Sequence, residues 1–296
     1  MMLLSVLLVA VCCLVVFLTL KKKRQALKQT KLQLCMAKLA TLKDLLIHLQ
    51  QHRGLSTAVL HGDLSLKMTM QSKMSTVTSL CLALAHDYSE LPQDDLFEGI
   101  SSHWQRLESR CLGLSASNNI EQHNRLITNL LYLIQNQAEE NRLLMRFSRE
   151  SGMEVIWKEL LEMIEAIGQT RAIGMGLVSE GKSTAVERIQ LKYLNEKVRT
   201  QFQALNLSFI GESATLNTSQ TQGAFIAGPF IKTADVKITE LQAFINKNLL
   251  QANINNISSE QFFLLASSAI EPLNSLFNLA LNTLKERCSM TNKGWK

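Results

Sequence analysis

The sequence predicts an all-α protein, an N-terminal transmembrane helix followed by two four-helix bundles. Three observations carry this expectation. Only 13 of 296 residues are Gly and 3 are Pro, so breakers are scarce and long uninterrupted elements are expected. Apolar residues make up 46% of the chain and recur at helical spacing almost throughout, with no alternating β-branched runs bounded by hairpin turns. The first twenty residues, MMLLSVLLVAVCCLVVFLTL, carry no charge.

That opening stretch is long enough, at about 1.5 Å per residue, to cross a hydrocarbon core of roughly 30 Å as a helix. A signal peptide would place its positive charge before the apolar run and a small-residue cleavage site after it, and neither occurs. Instead Lys21-Lys22-Lys23-Arg24 follows directly, which by the positive-inside rule puts the C-terminal body in the cytoplasm. Residues 21–40 are expected to form a basic juxtamembrane helix. The formal charge of +6 is concentrated here: residues 1–43 hold eight basic residues and no acid, whereas 44–296 hold 23 basic and 25 acidic residues. A nucleic-acid surface would need a basic stripe on the body, so nucleic acid is set aside as a partner.

In the body, periodicity predicts helices at about 25–61, 64–90, 95–112, 119–149, 153–179, 183–208, 233–253 and 258–287. The breaks are expected at Leu91-Pro92, at 113–119, at Ser151-Gly152 and in the polar stretch 211–223, with Pro272 starting a new turn or kinking the last helix. The sensor-sized body thus spans 41–288, in halves of about 41–150 and 153–288, with a tail at 289–296. A repeat supports the division. At an offset of 118 residues, Leu42, Leu45, Leu46 and Leu49 lie over Leu160, Met163, Ile164 and Ile167, one core-facing helical stripe in each half. Four residues further along each stripe stand Arg53 and Arg171, on the apolar face. Small residues follow both: Gly54, Ser56 and Ala58 in the first copy, Ala172, Gly174 and Gly176 in the second.

Several apparent motifs are weaker than they look. Gly176, Gly181, Lys182 and Ser183 match the phosphate-loop pattern GxxxxGK[ST], yet a phosphate loop needs a buried strand before it, and here an amphipathic helix precedes. Gly181 reads instead as a helix C-cap, with Ser183 or Thr184 starting the next helix. His48 and His52 share a helix face in an HxxxH pair, but no third ligand can be nominated, so no metal is expected. No nucleophile, base or carboxylate pair stands out, and the chain is expected to be neither an enzyme nor a cofactor carrier. The scattered cysteines suit a reducing compartment.

The interior arginines remain. A desolvated guanidinium must meet a carboxylate or another anion. Either each pairs with an Asp or Glu of a neighbouring helix, or the two converge on a small oxyanion whose paired oxygens match paired N–H groups. The run LQQHRGLSTAVL at 49–60 resembles the first-half signature of the NIT domain, the nitrate- and nitrite-sensing family. IGQTRAIGMGL at 167–177 and SSEQFFLLASSAIEPLNSLFNLALNTL at 258–284 resemble its second-half motif and closing helices.

The resemblance covers about residues 40–288 and implies paired four-helix bundles that hold nitrate or nitrite between helices. Carried over by position, it places Arg53 and Arg171 on the ligand, with Gly54 and Ser56 beside them. It puts His52 where members can carry a second basic residue, and Lys232, or Arg199, in the region of a later arginine. No output module follows, so a sensor would signal through a separately encoded protein, from a bacterial inner (plasma) membrane in single-pass form. A homodimer is left open. The alternative is a membrane-anchored helical scaffold with salt-bridged arginines and no small-molecule ligand.

Overall fold

A computed structural model describes residues 2–140, 156–215, 218–254 and 257–290, with the side chains of 2–11, 156–157, 208–215, 218–226 and 287–290 outside that description. The described residues are all-helical and contain no strand; an isolated antiparallel bridge joins Lys182 to Asn253. Eight α-helices are described: α1 (Met2–Leu60), α2 (Lys67–Asp87), α3 (Asp95–Arg110), α4 (Ala116–Glu140), α5 (Leu161–Glu180), α6 (Ala185–Thr215), α7 (Thr218–Phe244) and α8 (Ser259–Met290).

The leucine stripe of α1 does what its period demands. Leu42, Leu45, Leu46 and Leu49 are fully buried, as are Leu160, Met163, Ile164 and Ile167 in the second half. Each such side chain is worth about 1.5–3 kcal/mol of burial. Both stripes belong to one continuous core running from Leu32 to Leu284, so the halves share a core across α1 and α5. The two helices pack side by side in parallel, as the ascending pairs Gln50 with Glu165, Gly54 with Arg171 and Thr57 with Gly176 show. Helices α2 and α4 pack on α1, with α3 against both of them; α6 and α8 pack on α5, with α7 against both of them, and α5 is buried along almost its whole length.

Local chemistry fixes the ends. The Asp94 carboxylate accepts from the backbone N–H groups of Leu96 and Phe97 and caps α3, whose buried face is Phe97, Ile100, Trp104 and Leu107. Gly181 ends α5 at φ +74°, a left-handed conformation that disfavours any Cβ. Thr184 and Glu187 then exchange the reciprocal bonds of a capping box at the start of α6.

Two boundaries differ from expectation, and the alternatives at Pro272 are narrowed. The helix expected from residue 25 is continuous with the N-terminal apolar stretch, a single α1 of 59 residues, because nothing between Leu20 and Lys43 breaks a helix. Most of the stretch expected to break, 211–223, is helical: α6 is described to Thr215 and α7 from Thr218, since polar residues erase the apolar period while most cost only tenths of a kcal/mol each in a helix. Pro272 lies inside α8, which continues past it. The break expected at Ser151-Gly152 and the end of the tail, 291–296, lie outside the described residues. Among the described residues no helix is long and apolar enough to cross a membrane, and the expected span at 1–20 lies partly outside them.

Candidate functional site

Arg53 and Arg171 both lie on the α1–α5 seam, and the structure treats them differently. Arg53, wholly buried, makes a two-pronged ion pair with Glu165: Nη1 donates to Oε1 at 2.6 Å and Nη2 to Oε2 at 3.1 Å. Gln50 Nε2 and Gln169 Nε2 donate to the same carboxylate at 2.8 and 2.9 Å, and Asn124 Oδ1 accepts from Arg53 Nη1 at 2.6 Å. The charge is compensated, and both Nη groups are engaged, while Arg53 Nε is buried without a hydrogen-bond partner. Gly168 makes the approach feasible, because a Cβ there would lie 2.9 Å from Arg53 Nη2.

Arg171 has no such partner. Its Nη1 donates to Ser267 Oγ at 2.9 Å, its guanidinium lies 4.9 Å from the Phe263 ring centroid, and its Nε is buried without a hydrogen-bond partner. Among the described residues no carboxylate comes within ion-pair distance of it. Burial, and next the charge of Arg53, push its pKa down to about 9, with Glu165 opposing. It lines a cavity of about 480 Å³ between α1, α5 and α8, together with Ile47, Gln50, Gln51, Ser267 and Asn274. Gln51 Oε1 and Asn274 Oδ1 are likewise buried and unpartnered. Arg171 is thus a buried cation with no carboxylate partner, and it faces the cavity.

The other residues expected at a ligand distribute as follows. Gly54 faces Arg171, whose Nε would lie 3.8 Å from a Cβ at that position. His52 turns away into the first bundle, where its Nδ1 lies 2.8 Å from His123 Nε2 and its ring meets Trp104 edge-on. Burial lowers its pKa to about 4, so it is neutral. Ser56 also faces the first bundle, donating to the Arg53 carbonyl and accepting from Asn119 Nδ2. Lys232 is exposed on α7, away from the cavity at Arg171. The small residues after Arg171 are sites of helix contact: a Cβ on Gly174 would fall 2.2 Å from the Phe262 ring, and one on Gly176 3.0 Å from His61 Nε2.

The phosphate-loop pattern is a helix end. Residues 174–180 are the last turns of α5, and Ser183 is tied to α7's exit, its N–H to Ala252 O at 3.0 Å and its hydroxyl to Gln251 O at 2.6 Å. Among the described residues no group of three His, Cys, Asp or Glu side chains is placed to hold a metal ion.

Sequence reasoning missed Glu165, Gln50, Gln51, Asn124 and Ser267. The first had a signal: α5 is apolar on nearly all sides, so Glu165 and Arg171 were its two charges bound for the interior. A second cavity, about 680 Å³, is lined by Thr57, His61, Asn124, Gln169 and Tyr193 among others. No family model, curated protein or solved structure matches the chain.

Proposed function

We propose that the chain is a membrane-anchored sensing module for a small oxyanion, which binds at Arg171 and signals through a separate partner. The observation that carries this reading is the contrast between the arginines: Arg53 has its carboxylate, whereas Arg171 is equally buried, lacks one and opens onto a cavity. An anion there would relieve the cost of an unpaired buried charge, several kcal/mol in magnitude. Nitrate and nitrite are the ligands that the NIT-like motifs around Arg53, Arg171 and the closing helix imply. Arg53 then serves as a neighbouring structural cation and not as a ligand contact.

Helix α1 offers the route outward. It carries Gln50 and Gly54 beside the site and runs unbroken to Met2, about 90 Å in all at 1.5 Å per residue. Its N-terminal apolar side chains support the anchor, since Leu14, Val16, Phe17 and Leu20 are all more than half exposed. With the lysine-rich stretch after them, they favour a single pass with the body on the cytoplasmic side. A ligand bound at the α1–α5–α8 junction would favour one packing of α1 over another, which a partner on α1 could read.

The scaffold reading keeps one supporting observation, the Arg53–Glu165 pair, which needs no ligand. Thermal melting of the full chain in detergent, with nitrate, nitrite, chloride, sulfate and butyrate at equal ionic strength, separates the two. A ligand that binds the folded state raises the midpoint. An anion-specific rise that disappears in Arg171→Gln supports the sensor; no rise with any of these anions moves the assignment to the scaffold.

A further inference from the structure

The two arginine sites are copies of one another, and the difference between them describes the ligand. Helices α1 and α5 correspond at the sequence offset of 118, and α4 and α8 correspond at 143. The second offset is fixed by two pairs: Asn124 on Arg53 matches Ser267 on Arg171, and Asn119 on Ser56 matches Phe262 on Gly174. The same mapping takes Gln169, which donates to Glu165, onto Gln51, and takes Glu165 itself onto Ile47. Ile47 and Gln51 both line the cavity at Arg171. The second site therefore keeps the guanidinium, the amide and the α8 partner, and has an apolar branched chain where the first has a carboxylate.

We propose that the cavity at Arg171 binds a short aliphatic monocarboxylate, its carboxylate occupying the place that Glu165 fills on Arg53 and its alkyl tail lying against Ile47, Leu264 and Ile270. The proposal rests on the reading of Arg171 as an anion site and names the ligand class. A carboxylate matches the guanidinium fork as Glu165 matches that of Arg53. Gln51 and Asn274 line the cavity with their side-chain oxygens buried and without a hydrogen-bond partner, and turning either amide would bring its N–H₂ end to the ligand, as Gln169 does to Glu165. A cavity of about 480 Å³ has room for a short tail as well as the carboxylate. Ile47 and Ile270 offer that tail apolar contacts, and exposed Glu271 at the rim disfavours a second carboxylate.

The test is isothermal titration calorimetry on the full chain in detergent, using acetate, propionate, butyrate, succinate, nitrate and chloride. Affinity is expected to rise roughly fourfold per methylene from acetate to butyrate, with succinate and nitrate each at least tenfold weaker than butyrate. Ile47→Glu, which restores the carboxylate of the other copy, is expected to abolish butyrate binding, and Ser267→Ala, a milder change, to weaken it at least threefold. Nitrate binding more tightly than every carboxylate would overturn the ligand class and leave the Arg171 site standing. Absence of binding by any anion would overturn both. Butyrate binding unchanged in Ser267→Ala and in folded Ile47→Glu would place the carboxylate elsewhere and overturn the proposal.

Discussion

Arg53 and Glu165, 112 positions apart in the chain, close a two-pronged ion pair at 2.6 and 3.1 Å inside the seam between α1 and α5. Removing the charge of one partner strands the other. Glu165→Gln keeps the shape and leaves Arg53 unpaired, so it is expected to lose about 3–5 kcal/mol in urea denaturation. Replacing both by apolar residues, Arg53→Met with Glu165→Leu, is expected to cost less than the single change. If Glu165→Gln loses under about 1 kcal/mol, the pair is not the main compensation of the Arg53 charge.

The glycines of α5 give a steric contrast. A Cβ at Gly174 would meet the Phe262 ring at 2.2 Å, and Phe262 is fully buried between α5 and α8 with little room to move. Gly174→Ala is expected to destabilise by about 1–3 kcal/mol, with Phe262→Leu restoring part of the loss. Gly54→Ala, where the nearest atoms stand at 3.8–3.9 Å, is expected to be neutral or to stabilise by up to about 1 kcal/mol. Thermal melts of the two variants check the contrast, and equal effects would refute it.

These cases show where the sequence was legible. The helical stripe through Leu42, Leu45, Leu46 and Leu49 and the capping glycine at Gly181 are local patterns, and each predicts its element because the physics is local. The interior placement of Arg53 and Arg171 was equally legible. Their fates were not, since whether an arginine finds a carboxylate depends on which residue the neighbouring helix brings opposite it. Glu165 reaches Arg53 through the register of α1 on α5, and Ile47 stands in the corresponding place for Arg171. Nothing within a few residues of either arginine encodes that register. For the same reason the small residues at Gly174 and Gly176 looked like room for a ligand, when α8 and α1 take that room.

The first bundle should be sensitive to acid. His123 Nδ1 donates to Asn119 O at 2.8 Å, so its Nε2 accepts from His52 Nδ1–H, also at 2.8 Å, and His52 Nε2 is left buried and unpartnered. Burial holds His52 down to about 4 and His123 well below its ordinary value, with the neighbouring His52 and Arg53 acting in the same direction on His123. A histidine lowered on folding contributes stability in full above its unfolded value near 6.5, and that contribution falls away as pH drops towards 4. The loss from His52 alone is of the order of 3 kcal/mol. Denaturation at pH 7.5 and 4.5 should show a drop that the double variant His52→Leu, His123→Leu lacks. Equal pH dependence in the two proteins would rule the pair out as its source.

The turn at Gly181 tests the phosphate-loop pattern by stability. The Gly181 N–H donates to Leu177 O at 2.9 Å, its carbonyl accepts from Ile254 N–H at 2.9 Å, and its φ is +74°. An alanine there carries the strain of a left-handed residue and brings its Cβ to 3.5 Å from Ile254 O, so Gly181→Ala is expected to cost about 1–2 kcal/mol. The exposed Lys182 side chain pairs with half-buried Glu180 at 3.1 Å, and Lys182→Met is expected to change stability by less than about 1 kcal/mol. A phosphate loop reverses the order of importance, because there the lysine holds the nucleotide and its loss erases nucleotide-dependent stabilisation. Melting each variant with and without magnesium ATP decides between them. A midpoint raised by ATP in the parent and lost in Lys182→Met would restore the nucleotide reading; a cost confined to Gly181→Ala, insensitive to ATP, identifies the motif as a helix cap tied to the α7–α8 connection.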